Sequence, residues 1–129
     1  MLGGGSFLLD EGIELQLSAD IKEVLGKVQE HSASFTYQDS SYTVIPLGGR
    51  AGSLWMLGVG LKDGQSIGVF SIEKLDNGTT LFKVAPRSQW GNEQPGLIDH
   101  DGSYFTSFLL ELFKTFVRER YVDLPGLGR

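Results

Sequence analysis

The stretch from Ser103 to Val122 places the strongest constraint on how this chain can fold. Its apolar side chains recur every three or four positions, a spacing that puts them on one face of a helix. The residues of this stripe are Phe105, Phe108, Leu109, Leu112, Phe116 and Val117. The sequence therefore predicts a long C-terminal helix over residues 103–122, with a face that must be buried.

Other apolar side chains of the same stretch lie outside the stripe. Tyr104, Leu110, Phe113 and Tyr121 extend the apolar surface around much of the predicted helix. A helix with this pattern is covered on more than one side. The candidates for the cover are the chain's own sheet, a second subunit or a bound apolar molecule.

The chain before this helix predicts a strand, a short helix and then a run of strands. Residues 12–17 alternate apolar and polar side chains, which is typical of a half-buried strand. Ser18 stands at a predicted N-cap, and Asp20 lies in the first turn of a helix that continues to about Glu30. From residue 32 to residue 87 the pattern predicts strands and turns alone.

The first predicted hairpin turns at residues 39–40. Its strands would place Tyr37 opposite Tyr42 and Phe35 opposite Val44. Aromatic pairs would then lie on one side of the sheet.

Two further hairpins can be registered from their turns. The two-residue turn Asp63–Gly64 predicts the pairs Leu57–Phe70, Trp55–Ile72 and Val59–Gly68. At residues 76–78 a three-residue loop with a glycine bulge is favoured over a two-residue turn, because the alternative register buries a lysine. This register predicts the pairs Ile72–Phe82, Phe70–Val84 and Ser71–Lys83.

The resulting sheet has one strongly apolar face and one milder face. The apolar face is predicted to contain Phe35, Tyr37, Tyr42, Val44, Trp55, Leu57, Val59, Leu61, Phe70, Ile72, Phe82 and Val84. The milder face is predicted to contain Met56, Gly58, Gly60, Ile67, Val69, Ser71, Glu73, Leu81 and Lys83. Glycines inside strands mark bends, bulges or close approach, so we expect a curved sheet that wraps the C-terminal helix.

The predicted fold class is α+β, with a curved antiparallel sheet of about five to six strands packed on the long C-terminal helix, in the order β-α-β-β-β-β-β-α. In outline this order resembles the helix-grip and TATA-binding-protein-like arrangements; the resemblance is topological and rests on no family motif. Residues 1–129 are expected to form one domain, with a flexible N-terminal end at residues 1–11 and a long loop at residues 87–102.

Composition excludes several classes of function. The chain has no cysteine, so it has no disulfide framework, thiolate metal site or thiol catalysis. The net charge of −5 argues against binding to nucleic acid. No stretch approaches the roughly 20 apolar residues that span a bilayer, and the expected location is the cytoplasm. No cofactor is predicted.

The sequence Asp99-His100-Asp101 is the place where an imidazole lies among carboxylates. Such a group could orient a base or complete a metal site. Neighbouring residues seldom converge on one point, and the same residues are typical of the loop and cap before a helix. An enzyme that uses His100 is therefore the least favoured hypothesis, and neither a catalytic residue nor a metal ligand is predicted.

Two functions are favoured over catalysis. The first is a non-catalytic protein-interaction or homodimerisation module that uses Leu110, Phe113 and Tyr121 on the C-terminal helix. The alternative is the binding of a small apolar or aromatic ligand between the sheet and that helix. The predicted ligand-binding residues are Tyr37, Tyr42, Trp55, Phe70, Trp90, His100 and Tyr104.

Overall fold

The computed structural model describes residues 10–37, 39–61, 66–89 and 103–122. Within them a curled antiparallel sheet has the strand order β1-β6-β5-β4-β3-β2 and packs with two helices. The elements are β1 Ile13–Leu17, α1 Ile21–Ser34, β2 Thr36–Tyr37, β3 Ser40–Arg50, β4 Leu54–Leu61, β5 Ser66–Lys74, β6 Thr80–Val84, a 3-10 turn Arg87–Gln89 and α2 Ser103–Arg118. The predicted α+β class, with its curved sheet and C-terminal helix, is confirmed. Most of the predicted flexible end at residues 1–11 and most of the predicted loop at residues 87–102 lie outside the described residues.

Helix α1 begins two residues later than predicted and ends four residues later. Its N-cap is Asp20, whose carboxylate accepts a hydrogen bond from the Glu23 amide at 2.9 Å. The prediction of Ser18 as the cap is wrong, because the helix begins at Ile21 and Asp20 is the residue that precedes it. The Ser18 amide donates to the Tyr121 carbonyl at 2.9 Å. The helix continues to Ser34 because its buried stripe continues to Ser32.

Helix α2 ends at Arg118, before the predicted boundary at residue 122. Arg120 adopts the left-handed conformation, with φ of 65°. Its amide donates to the Val117 carbonyl at 3.0 Å, and the Tyr121 amide donates to the Phe116 carbonyl at 2.9 Å. This pair of bonds is a Schellman ending, which turns the chain back so that Tyr121 is buried.

Predicted pairs of the two later hairpins are confirmed, whereas the turn predicted at Asp63–Gly64 lies outside the described residues. Strands β4 and β5 pair at Trp55–Ile72, Leu57–Phe70 and Val59–Gly68. Strands β5 and β6 pair at Ile72–Phe82 and Ser71–Lys83. Gly78 has φ of 81° and its amide donates to the Leu75 carbonyl at 3.1 Å, which is the predicted glycine bulge.

The first hairpin differs from its prediction by two residues. Tyr37 pairs with Ser40, since the chain reverses through Asp39 in the left-handed conformation, with φ of 65°. Phe35 precedes β2 and caps α1 instead of pairing with Val44. A shift of two residues keeps each side chain on its face, so Tyr37 remains on the side of the sheet that carries the core.

Two bulges curve the sheet and change which side chains are buried. Between Val59 and Gly60 the register with β5 shifts by one residue, so Ile67 is the extra residue on β5. The sequence places Ile67 on the milder face, but the structure buries it completely, with 0% exposure. A second bulge between Pro46 and Gly48 makes Leu47 the extra residue on β3.

The face of the sheet that contacts α2 is the core of the molecule, and we call it the inner face. Helix α2 approaches β5 so closely that a Cβ atom on Gly68 would lie 2.3 Å from the Phe105 ring. The phenyl ring of Phe82 stacks on Phe70 with ring centroids 4.9 Å apart and meets Phe116 edge-on at 5.7 Å. The core consists of buried side chains from α1, α2 and the sheet.

Candidate functional site

The residues predicted to bind a ligand between sheet and helix lie mainly in or beside this core. Tyr42 and Phe70 are each 1% exposed, and Trp55 is partly buried. Tyr37 meets Tyr104 edge-on at 5.2 Å, and Tyr42 lies 6.4 Å from Tyr104 between ring centroids. The structure therefore brings the three tyrosines together. The other two predicted ligand residues, Trp90 and His100, lie outside the described residues, and this ligand site stays a prediction.

The residues predicted to form an interface on α2 are placed differently from one another. Phe113 is 5% exposed and Tyr121 is 7% exposed, both inside the chain's own core. The Tyr121 hydroxyl donates to the Glu23 carboxylate at 2.6 Å, and burial together with this bond raises the pKa of Tyr121. Leu110 is partly buried and packs against the edge of the core. Of the three, Leu110 alone offers substantial surface to another molecule.

Large apolar side chains are exposed on the other side of the sheet, which we call the outer face. Ile45 and Leu47 are each 50% exposed, and Met56 is 37% exposed. Ile45 and Val69 lie on either side of Gly58 in the register of β3, β4 and β5. A Cβ atom on Gly58 would lie 3.1 Å from a Leu47 methyl group, so Leu47 leans over this glycine.

These side chains adjoin a depression of about 640 Å³ on the outer face, lined in part by Leu47, Leu54, Met56 and Val69. We call Ile45, Leu47, Leu54, Met56 and Val69 the outer apolar patch. Ile45 and Leu47 belong to neither of the two faces predicted from the sequence. The alternation of side chains was an available signal, because Ile45 and Leu47 alternate with Val44 and Pro46 along β3.

Charged residues of both signs lie at the margin of the outer apolar patch. Arg50 on β3 pairs with Glu73 on β5 at 3.4 Å, and Lys83 on β6 pairs with Glu14 on β1 at 3.8 Å. All four side chains are at least 41% exposed. The margin is therefore neutral overall, although the chain as a whole carries a net charge of −5.

A second concave surface lies between the two helices. We call it the helix groove; its volume is about 840 Å³. Helix α2 contributes a stripe at the helical spacing of three and four residues: Ser107, Leu110, Glu111, Lys114, Thr115 and Arg118. Helix α1 contributes Lys27, Glu30, His31 and Ser34.

His31 forms part of the wall of the helix groove. Its Nε2 lies 3.0 Å from the Phe108 carbonyl oxygen, and since a carbonyl only accepts, Nε2 is the protonated nitrogen. The ring also lies against Phe35 and Phe108, with centroid distances of 5.0 and 4.7 Å. Burial lowers the pKa of His31, and the bond to the Phe108 carbonyl opposes this only in part. The imidazole is therefore neutral at pH 7 and presents an aromatic surface.

The acids of the helix groove are each held by a lysine. Lys27 lies 3.5 Å from Glu119 and 3.8 Å from Glu30, and Lys114 lies 3.2 Å from Glu111. Within the described part of the chain, the Arg118 guanidinium donates to the Thr115 hydroxyl at 2.9 Å and forms no ion pair. The three cations of the groove, Lys27, Lys114 and Arg118, balance its three glutamates in number. Among the described residues, Arg118 is the cation of the groove that makes no direct ion pair.

The described residues contain no group of three or more His, Asp or Glu side chains arranged to hold a metal ion. Neither helix in this part of the chain is long and apolar enough to cross a membrane. Comparison of the chain with protein-family models, with curated proteins and with solved structures found no match.

Proposed function

We propose that this chain is a protein-interaction module that forms a homodimer through the outer apolar patch. The observation that supports the proposal is the exposure of Ile45, Leu47 and Met56 next to one another on one side of the sheet. Contiguous exposed apolar surface is characteristic of association sites on soluble proteins. None of these side chains contributes to the buried core, so the fold itself does not require them to be apolar.

The charges at the margin favour a second copy of the same chain as the partner. A two-fold interface places the same patch on both subunits, so each charge meets the margin of the other copy. Arg50 and Lys83 supply cations, and Glu73 and Glu14 supply anions, so the margin can complement itself. An interface of this kind has an apolar centre and a polar rim, as in known protein complexes.

The test is the oligomeric state of the protein and of a Leu47→Asp variant, measured by light scattering over a range of concentrations. Leu47 is 50% exposed, so aspartate is compatible with the folded monomer. We expect the wild type to dimerise and the variant to weaken the dimer at least about tenfold, because a carboxylate would be desolvated at the interface.

The control is Leu110→Asp, which places the same charge on α2 in the helix groove; because Leu110 is partly buried, circular dichroism first establishes that this variant is folded. We expect this variant to dimerise as the wild type does. A wild type that stays monomeric at high concentration contradicts the proposal, and so does a Leu47→Asp variant that dimerises normally. A dimer lost only in Leu110→Asp would instead support the interface predicted on the helix.

A further inference from the structure

The helix groove has the volume of a small-molecule site and is separate from the outer apolar patch. Its volume of about 840 Å³ falls within the range of known ligand pockets. Its wall combines the apolar side chain of Leu110, the aromatic rings of Phe35 and His31, and the hydroxyls of Ser34 and Ser107. This mixture suits a ligand that has an apolar body and a few polar groups.

The charged side chains of the groove favour a ligand with a single negative charge. Both lysines are paired with glutamates, so they are not free to attract an anion. Arg118 has no carboxylate partner among the described residues, and a guanidinium is suited to bind a carboxylate through two parallel hydrogen bonds. Glu30 and Glu119 share Lys27, so one of the three glutamate charges is not offset by a lysine and disfavours a second negative charge on the ligand.

The dimensions of the groove place the apolar and charged parts of a ligand at a fixed separation. Leu110 and Arg118 lie eight residues apart on one face of α2, which corresponds to about 12 Å along the helix axis. A ligand whose carboxylate reaches Arg118 would therefore lay its body along α2 towards Leu110 and the ring of His31. Because His31 is hydrogen-bonded to the Phe108 carbonyl, its ring is held in place before any ligand arrives.

We propose that the helix groove binds a small organic monocarboxylate, with the carboxylate on Arg118 and an apolar or aromatic body against Leu110, Phe35 and His31. The proposal concerns a surface remote from the outer apolar patch and does not depend on dimerisation. It adds ligand binding to the proposed association.

The test is a titration of the isotope-labelled protein with phenylbutyrate, in which NMR measures the chemical shifts of the backbone amides. Phenylbutanol, which has the same body and no charge, and inorganic phosphate, which carries more than one charge, are the comparison probes. With phenylbutyrate we expect saturable changes in chemical shift at Ser34, Ser107 and Thr115, with a dissociation constant of about 1 mM. Phenylbutanol should bind more weakly, and phosphate should cause no change at these residues.

The variant Arg118→Gln removes the positive charge and keeps a side chain that favours helix. The matched control is Arg50→Gln, which removes a cation from the outer face. We expect Arg118→Gln to weaken phenylbutyrate binding about tenfold without changing the binding of phenylbutanol. Arg50→Gln should leave both unchanged. The dispersion of the spectra shows whether each variant is folded.

Several results would overturn the proposal. One is the absence of saturable shifts in the groove, as expected if the groove receives a helix of a partner protein instead. Another is equal binding of phenylbutyrate by the wild type and Arg118→Gln. A third is a set of shifts confined to the outer apolar patch. Loss of dimerisation in Leu47→Asp has no bearing on any of these outcomes.

Discussion

The two faces of the sheet are built from the same strands by the same alternation of side chains, yet one is buried and the other is exposed to solvent. On the inner face Phe70 and Phe82 are 1% and 0% exposed, because α2 lies over them. On the outer face Ile45 and Leu47 are each 50% exposed. Alternation therefore determines which side chains share a face, and the helix determines which face becomes core.

The difference separates the residues that stabilise the fold from those available for binding. Truncation of an inner-face side chain leaves a cavity among neighbours that pack against it on every side. An outer-face side chain already contacts water, so its truncation leaves no such cavity. Substitutions matched between the two faces test this separation directly.

The largest effect is expected for Phe82→Ala. Phe82 has no exposed surface and contacts the rings of Phe70, Phe113 and Phe116, so the substitution opens a cavity and should lower the free energy of unfolding by about 3–5 kcal/mol. Ile45→Ala, on the outer face, should cost less than about 1 kcal/mol. Urea unfolding of the monomer, at a concentration where light scattering shows no dimer, measures both. Comparable losses in the two variants would show that the outer face is covered as well.

A smaller effect is expected from adding one methyl group at a glycine. In Gly68→Ala the new Cβ atom would lie 2.3 Å from the Phe105 ring, so the helix must move away from the sheet. We expect a loss of about 1–3 kcal/mol in the free energy of unfolding.

Gly58→Ala makes the same change on the outer face. There the new atom would meet the end of the Leu47 side chain at 3.1 Å, and a half-exposed side chain can turn aside. Alanine also restricts the unfolded chain, so we expect a change within about 1 kcal/mol of zero in the same unfolding measurement. If Gly58→Ala were as costly as Gly68→Ala, the two faces would be equally tightly packed and the comparison would fail.

The sequence predicted the sheet well where a turn determined the register. Gly78 has the positive φ that its position in the turn requires, and this determines which face Phe82 occupies. The bulge that buries Ile67 could not be predicted, because an inserted residue changes the alternation without any change in composition. The left-handed conformation of Asp39 likewise shifted the first hairpin by two residues.

The candidate surfaces were harder to predict than the fold. Periodicity on α2 shows that Phe113 and Tyr121 need cover, but it does not show whether that cover comes from the same chain or from another. The Schellman ending at Arg120 decides the matter for Tyr121, because it folds this residue back beside α1. The helix groove depends on the distance between two helices that are far apart in the sequence, and no local pattern reports that distance.

His31 lies at the boundary between the filled core and the solvent in the helix groove, and its ionisation should show which environment dominates. Burial lowers its pKa below the ordinary value of 6.5, while Glu111 raises it and Arg118 lowers it. The unfolded chain therefore binds a proton at a higher pH than the folded protein does. As the pH falls through about 6.5, the unfolded state gains protons first, and the free energy of unfolding should decrease.

The variant His31→Gln isolates this contribution, since its amide can still donate to the Phe108 carbonyl but does not titrate. Between about pH 7.5 and about pH 5.5 the wild type should lose more stability than the variant, and this is the smallest of the expected effects. Urea unfolding of both proteins at each pH gives the difference, in which the carboxylates common to both cancel. If the free energy of unfolding had the same pH dependence in the wild type and in His31→Gln, water would solvate the His31 ring freely. The core would then end at Phe108, and His31 would not belong to it.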